Sequence, residues 1–148
     1  MPTLAEQLLT PANRPGLVRD CTVFLDEQVA AKSGLTGLAI KGAFKTIKAI
    51  KPGFIEGVID ALLDEWVAKL EGHYGRWDEG GRTMAFNRFA SADASAVAER
   101  LLEVTDGRAQ STNHTSALKL YRKLRPTAKG HVVAGVPGLA KVVERYLV

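Results

Sequence analysis

An all-α fold, one compact bundle of about six to eight helices spanning residues 1–148, is what this sequence predicts. Three observations lead there. Apolar residues recur at three- and four-residue steps along most of the chain. Prolines and glycine clusters fall between those runs. The balance of 46% hydrophobic to 24% charged residues suits a globular core. A chain of 148 residues hides roughly 70% of its unfolded surface, so it needs no metal or disulfide to hold together.

Taken in order, the first helix covers 14–31, with Leu17, Val18, Cys21, Phe24, Leu25 and Val29 on one side. Asn13 is placed to cap it, and Pro15 is tolerated in its first turn. Cys21 lies on the apolar stripe, which predicts a buried and inert thiol. Ser33 opens a second helix over 35–50, and Pro52 breaks it by lacking an amide hydrogen and restricting Lys51. The third, 53–71, has the broadest apolar face, including Phe54, Ile59, Leu62, Leu63, Trp66, Val67 and Leu70, and is predicted to be central.

The glycine-rich string GHYGRWDEGGR at 72–82 predicts a loop, followed by a short helix near 82–90. Ser91 or Asp93 caps a helix over 94–105, which Asp106-Gly107 stops. A helix over 114–124 ends at Pro126; a short one covers 128–134, and a last one, 138–147, starts from Pro137. Residues 131–136 are also the best strand candidate.

The net charge of +4 and pI near 9.3 raise the question of nucleic acid. The charge comes in blocks. Residues 32–51 carry five lysines and no acid, 52–71 and 93–107 are acidic, and 108–131 are basic again. In a bundle such blocks can lie side by side and partly cancel.

The lysine-rich stretch GLAIKGAFKTIKAIKPG at 37–53 is the first place to look for an anion site. It is not a phosphate loop: Gly37 and Gly42 have the required gap, but Ala43 stands where the lysine must be, and Lys45-Thr46 comes two residues late. On a helical wheel, Lys41, Lys45 and Lys48 form one edge, Ile40, Phe44 and Ile47 a second, and Ala39, Gly42, Thr46, Ala49 and Gly53 a third. The small third face predicts close packing against another helix. Gly57, Ala61 and Ala68 beyond Pro52 offer a matching surface, beside the acidic edge Glu56, Asp60 and Asp64. Lys41, Lys45 and Lys48 should then be wet.

Two other places could carry function. Lys119, Arg122, Lys123, Arg125 and Lys129 form a basic cluster suited to phosphate contact or an acidic partner. Tyr121 among them belongs to the core side with Leu118 and Leu124. The loop residues His73, Tyr74, Arg76 and Trp77 gather a base, two aromatics and a cation, a composition suited to a small ligand, a partner or acid–base chemistry. The competing reading packs Tyr74 and Trp77 into the end of the bundle; burial of Trp77 would weaken a ligand site there. No cofactor or metal pattern is present: the three histidines are far apart in sequence, and there is no HExxH, CxxC, GxGxxG or GxSxG. One cysteine excludes an internal disulfide. No signal peptide or membrane-spanning run is evident, which predicts a cytoplasmic protein without membrane insertion.

The strings KSGLTGLAIKGAFKTIKAIKPGFIEGVIDALLDEWV, TDGRAQ and LYRKLRPTAKGHVVAGVP resemble a family of small actinobacterial proteins classed as a domain of unknown function. The resemblance covers most of the chain. It implies a bacterial cytoplasmic origin and no established activity, and it carries over no assigned catalytic residue. The leading expectation is therefore a non-enzymatic structural or protein-interaction domain, as a homodimer or with another protein. Nucleic-acid or anion binding through 119–129 is the alternative, and a ligand site or enzyme at 73–79 ranks below it.

Overall fold

The stripe Leu63, Val67 and Leu70 runs down the middle of the fold. In the computed structural model, which describes residues 2–148, it belongs to α4 (Phe54–Glu79). Before it come α1 (Leu4–Leu8), α2 (Arg14–Ala30) and α3 (Gly34–Lys48). After it come α5 (Phe86–Ala92), α6 (Ala94–Ser111) and α7 (Thr115–Glu144). Among the described residues there are seven helices and no strand, an all-α bundle as the spacing predicts. Helix α4 packs on α1, α2 and α6, while α7 lies along α2, α5 and α6.

The segment 72–82 is not a loop, and this corrects the reading from glycine content. Helix α4 runs through Gly72 and Gly75 and ends at Glu79. Each glycine costs a helix about 1 kcal/mol relative to alanine. Burying Tyr74 and Trp77 outweighs that, since a large apolar side chain taken from water contributes about 1.5–3 kcal/mol. The helix ends where Gly81 and Arg82 adopt φ of +86° and +53°, with the Arg82 amide donating to the Trp77 carbonyl at 3.1 Å.

Helix α7 overrides its punctuation in the same way. Pro126 and Pro137 sit inside it, so the predicted end at Pro126 and the separate helices at 128–134 and 138–147 merge into one rod. An interior proline costs about 3 kcal/mol. The buried stripe Val136, Ala140 and Val143, continued by the half-buried Val132, holds the rod against its neighbours. The strand candidate 131–136 is helical. Helix α6 likewise passes Asp106-Gly107 and reaches Ser111.

Helix α1 lies outside the predicted set. Thr3 and Glu6 form a capping box, the Thr3 hydroxyl accepting from the Glu6 amide at 3.1 Å. Glu71 of α4 accepts from the amides of Leu4 and Ala5 at 3.1 and 2.7 Å. A five-residue helix is thus held by another helix's carboxylate, and it buries Leu4 and Leu8.

Helix α3 corrects a second expectation. Its small face, Ala39, Gly42, Thr46 and Ala49, is exposed together with Gly53, and Gly57, Ala61 and Ala68 of α4 are exposed too. The bulky sector turns inward instead: Ile40 is buried and Phe44 and Ile47 are half-buried, with Ala43 buried beside them. Burial gain scales with apolar area, so Ile40 and Phe44 gain more from facing inward than the small face would, although Leu35 and Leu38 near the start of α3 stay exposed. Lys41, Lys45 and Lys48 are exposed as predicted. Lys48 pairs with Asp26 of α2 at 2.6 Å, while the acidic edge of α4 is engaged by Arg14, whose guanidinium reaches Asp60 and Asp64 at 2.8 and 2.9 Å.

Candidate functional site

Where α2, α3, α6 and α7 meet, their inward faces do not fill the space between them. They enclose a partly open cavity of about 330 Å³. Phe24 and Val29 of α2, Ile40 and Phe44 of α3, Leu102 of α6, and Leu124 and Leu139 of α7 supply its apolar walls. The space exists because α7 presents Ala128 and Gly135 where the opposing helices present large side chains. Close contacts fix two of its corners. At Gly138, an added Cβ would lie 2.5 Å from Phe24 Cε1, so the ring rests directly on the α7 backbone. At Gly37, an added Cβ would meet the Lys32 carbonyl carbon at 2.7 Å, so the first turn of α3 rests directly on the backbone of the α2–α3 connection.

Polar groups enter the cavity wall at two places. At one, Arg125 donates through Nε to Asp106 Oδ1 at 2.8 Å and through NH2 to Oδ2 at 3.0 Å. The Tyr121 hydroxyl also donates to Asp106, and it lies 2.9 Å from Thr105 Oγ1. The Arg125 hydrogen bonds hold the Asp106 carboxyl below its usual range, while burial, followed by Asp106, raises the Tyr121 phenol. These groups satisfy one another. At the other place stand Lys32 and His131, both half-buried, with no hydrogen bond or ion pair from either side chain among the described residues. Burial first, and the Lys32 charge second, lower the His131 pKa. The arrangement can hold an apolar body and offer a cation to one end of it.

A model of a family of unknown function, DUF6918, matches residues 4–147. The chain belongs to that family. No curated protein and no solved structure matches it.

In this member of DUF6918 the sequence-predicted site residues fall in separate places. His73, Tyr74 and Trp77 are buried on α4, with Arg76 exposed. His73 Nε2 lies 2.9 Å from Asp93 Oδ2. The Tyr74 hydroxyl receives Gln7 Nε2 at 2.7 Å and Arg82 NH2 at 3.0 Å, and Trp77 Nε1 donates to the Met84 carbonyl at 2.7 Å. Trp77 and Tyr74 pack with Phe86 in the core, and burial of Trp77 weighs against a ligand site at 73–79.

The basic cluster divides. Arg125 and Lys129 turn to Asp106 and Glu99 of α6, the latter pair at 2.7 Å. Lys119, Arg122 and Lys123 are exposed, with no ion pair among the described residues. The cavity itself, with Lys32 and His131, escaped sequence reasoning, because its walls come from four segments far apart in the chain. The signal available was the run of small residues Ala128, Gly130, Ala134, Gly135 and Gly138 in α7. Among the described residues no group of three His, Cys, Asp or Glu could hold a metal ion, and no helix is long and apolar enough to cross a membrane.

Proposed function

We propose that this chain is a non-catalytic binding protein for a compact small molecule with a large apolar part, housed between α2, α3, α6 and α7. The cavity of about 330 Å³ with apolar walls carries this reading. It falls at the small end of the roughly 300–1,000 Å³ typical of ligand pockets. A bacterial cytoplasmic setting, implied by the sequence resemblance, belongs to the same proposal. The test is chemical-shift mapping with octanol on the isotopically labelled protein. Shifts should concentrate at Phe24, Leu102 and Leu124 and vanish in Ala128→Trp, which fills the space. Shifts scattered over the surface, or unchanged by Ala128→Trp in a folded variant, would overturn the reading.

A second reading, protein interaction, has its own observation. Leu35 and Leu38 of α3 are 87% and 68% exposed. They border an open groove whose far side is Leu120, Lys123 and Leu124 of α7. Lys119 lies one turn before Lys123 on the same helix face, and neither has an ion pair among the described residues. Apolar rims beside unpaired lysines suit an acidic amphipathic helix as partner. A labelled peptide with leucines on one face and glutamates on the other should bind, and should release on Leu38→Asp. Binding unaffected by Leu38→Asp would sink this reading, as would a dimer in light scattering that buries the groove.

A further inference from the structure

We propose that the ligand of the cavity is an amphipathic monocarboxylate, its carboxylate held by Lys32 and His131 and its hydrocarbon lying against the apolar walls. The inference rests on reading the cavity as a ligand site and adds the chemical class of the occupant.

The first support is the sign of the charges. The groups lining the cavity include Lys32, Arg125 and His131 and no aspartate or glutamate. Arg125 is already spent on Asp106, which takes both its Nε and its NH2. That leaves the Lys32 ammonium as the one cation in the wall without an acidic partner among the described residues. Its ammonium is therefore free to pair with an anion entering the cavity.

Unmet hydrogen-bonding capacity is the second support. The His131 ring and the Gln28 amide also face the cavity, and neither side chain has a hydrogen-bond partner among the described residues. Lys32, His131 and Gln28 together offer donors to two carboxylate oxygens. The lowered His131 pKa is consistent with this placement, since its causes are burial and the nearby Lys32 charge, and a carboxylate between the two reverses the second.

Size and charge number narrow the class further. Lys32 is the one lining cation without an acidic partner among the described residues, so the site is matched to a monoanion. A phosphate monoester brings more charge than Lys32 neutralises, and the two acyl chains of a phosphodiester lipid exceed a cavity of about 330 Å³. The seat of Lys32 is fixed as well, because Gly37 packs onto its main chain.

The experiment is isothermal titration of the full chain with octanoate, octanol and octylamine, which share a chain and differ in the head. Octanoate should bind roughly tenfold or more tighter than octanol, the difference expected for a charge-assisted hydrogen bond. Octylamine should be the weakest. Lys32→Met, which keeps the apolar stem, should lower octanoate to the affinity of octanol and leave octanol unchanged. Equal binding of octanoate and octanol, or preference for octylamine, overturns the carboxylate assignment while leaving the cavity reading intact. If none of the three binds the wild-type protein, both fail. The comparison of heads uses the wild-type chain alone, so it decides the question even if Lys32→Met does not fold.

Discussion

His73 Nε2 lies 2.9 Å from Asp93 Oδ2, with the imidazole 2% exposed and the carboxylate at the junction of α5 and α6. The pair ties α4 to that junction. The other ring nitrogen, Nδ1, is buried with no partner, so the hydrogen bond to Asp93 is the ring's whole polar satisfaction. Asp93→Ala should therefore destabilise the fold by about 1–3 kcal/mol, the cost of stranding a buried polar group. Asp93→Asn, which can still pair, should recover most of it. Urea midpoints read both; an unchanged midpoint in Asp93→Ala would contradict the structural role.

Tyr74→Phe tests a second buried junction. Its hydroxyl is the shared acceptor of Gln7 and Arg82, and Gln7 in turn accepts from the Val148 amide at 2.8 Å. Removing it should cost about 1–2 kcal/mol and speed hydrogen exchange in α1 before the rest of the bundle. Uniform exchange across the chain would count against this local anchoring.

Gly138→Ala presses on the cavity from outside. The new methyl would stand 2.5 Å from Phe24 Cε1, but the ring has empty space to swing into. The stability cost should therefore be near the low end for overpacking, about 1 kcal/mol. Octanol binding should drop, and the smaller ring-site side chain in a Phe24→Leu, Gly138→Ala double variant should restore it. Thermal melts and calorimetry report the two effects separately.

Acid should weaken the fold partly through His131. Its folded pKa lies below the ordinary value of about 6.5, so below that pH the unfolded chain binds more protons. Stability is then full above about 6.5 and falls as pH drops toward the lowered folded pKa. His131→Gln should flatten that portion of the profile. Lys32→Met should move the His131 titration upward in NMR, since it removes the like charge; an unmoved titration would mean that the two do not interact.

Cys21 should react slowly with thiol reagents at neutral pH. Burial, followed by the Asp20 charge, pushes its thiol up to about 11, and only the thiolate attacks. Unfolding in urea should restore ordinary reactivity, a contrast a colorimetric thiol assay measures directly.

How much of this was legible depends on which rule competed with which. Spacing found part of every long helix but misplaced the ends of α4, α6 and α7, and the stripe Leu63, Val67, Leu70, Tyr74, Trp77 kept its alternating steps of four and three straight through Gly72 and Gly75. Local glycine content argued for a loop there, but a continuous apolar stripe is the stronger signal. Pro126 and Pro137 misled for the same reason. The small face of α3 was visible yet pointed the wrong way, because a small-residue face says that approach is allowed, not that a neighbour comes. Thr3 and Glu6 announced α1 at the level of a capping box, but only Glu71, distant in the chain, makes so short a helix hold. The cavity and its unpaired Lys32 and His131 depend on how four helices meet, which no single periodicity encodes.

The junction of Gln7, Tyr74, Arg82 and Val148 also bears on the order of assembly. It joins positions 141 residues apart, whereas α5, α6 and α7 are neighbours in sequence as well as in space. Closing so long a span carries an entropy that grows only with the logarithm of length, but it is repaid only once both flanks are in place. The sequence-local helices are expected to supply the nucleus, with the knot of Tyr74 and its partners forming on the descending side of the folding barrier. Weakening it should therefore quicken unfolding and leave the rate of folding nearly as it was.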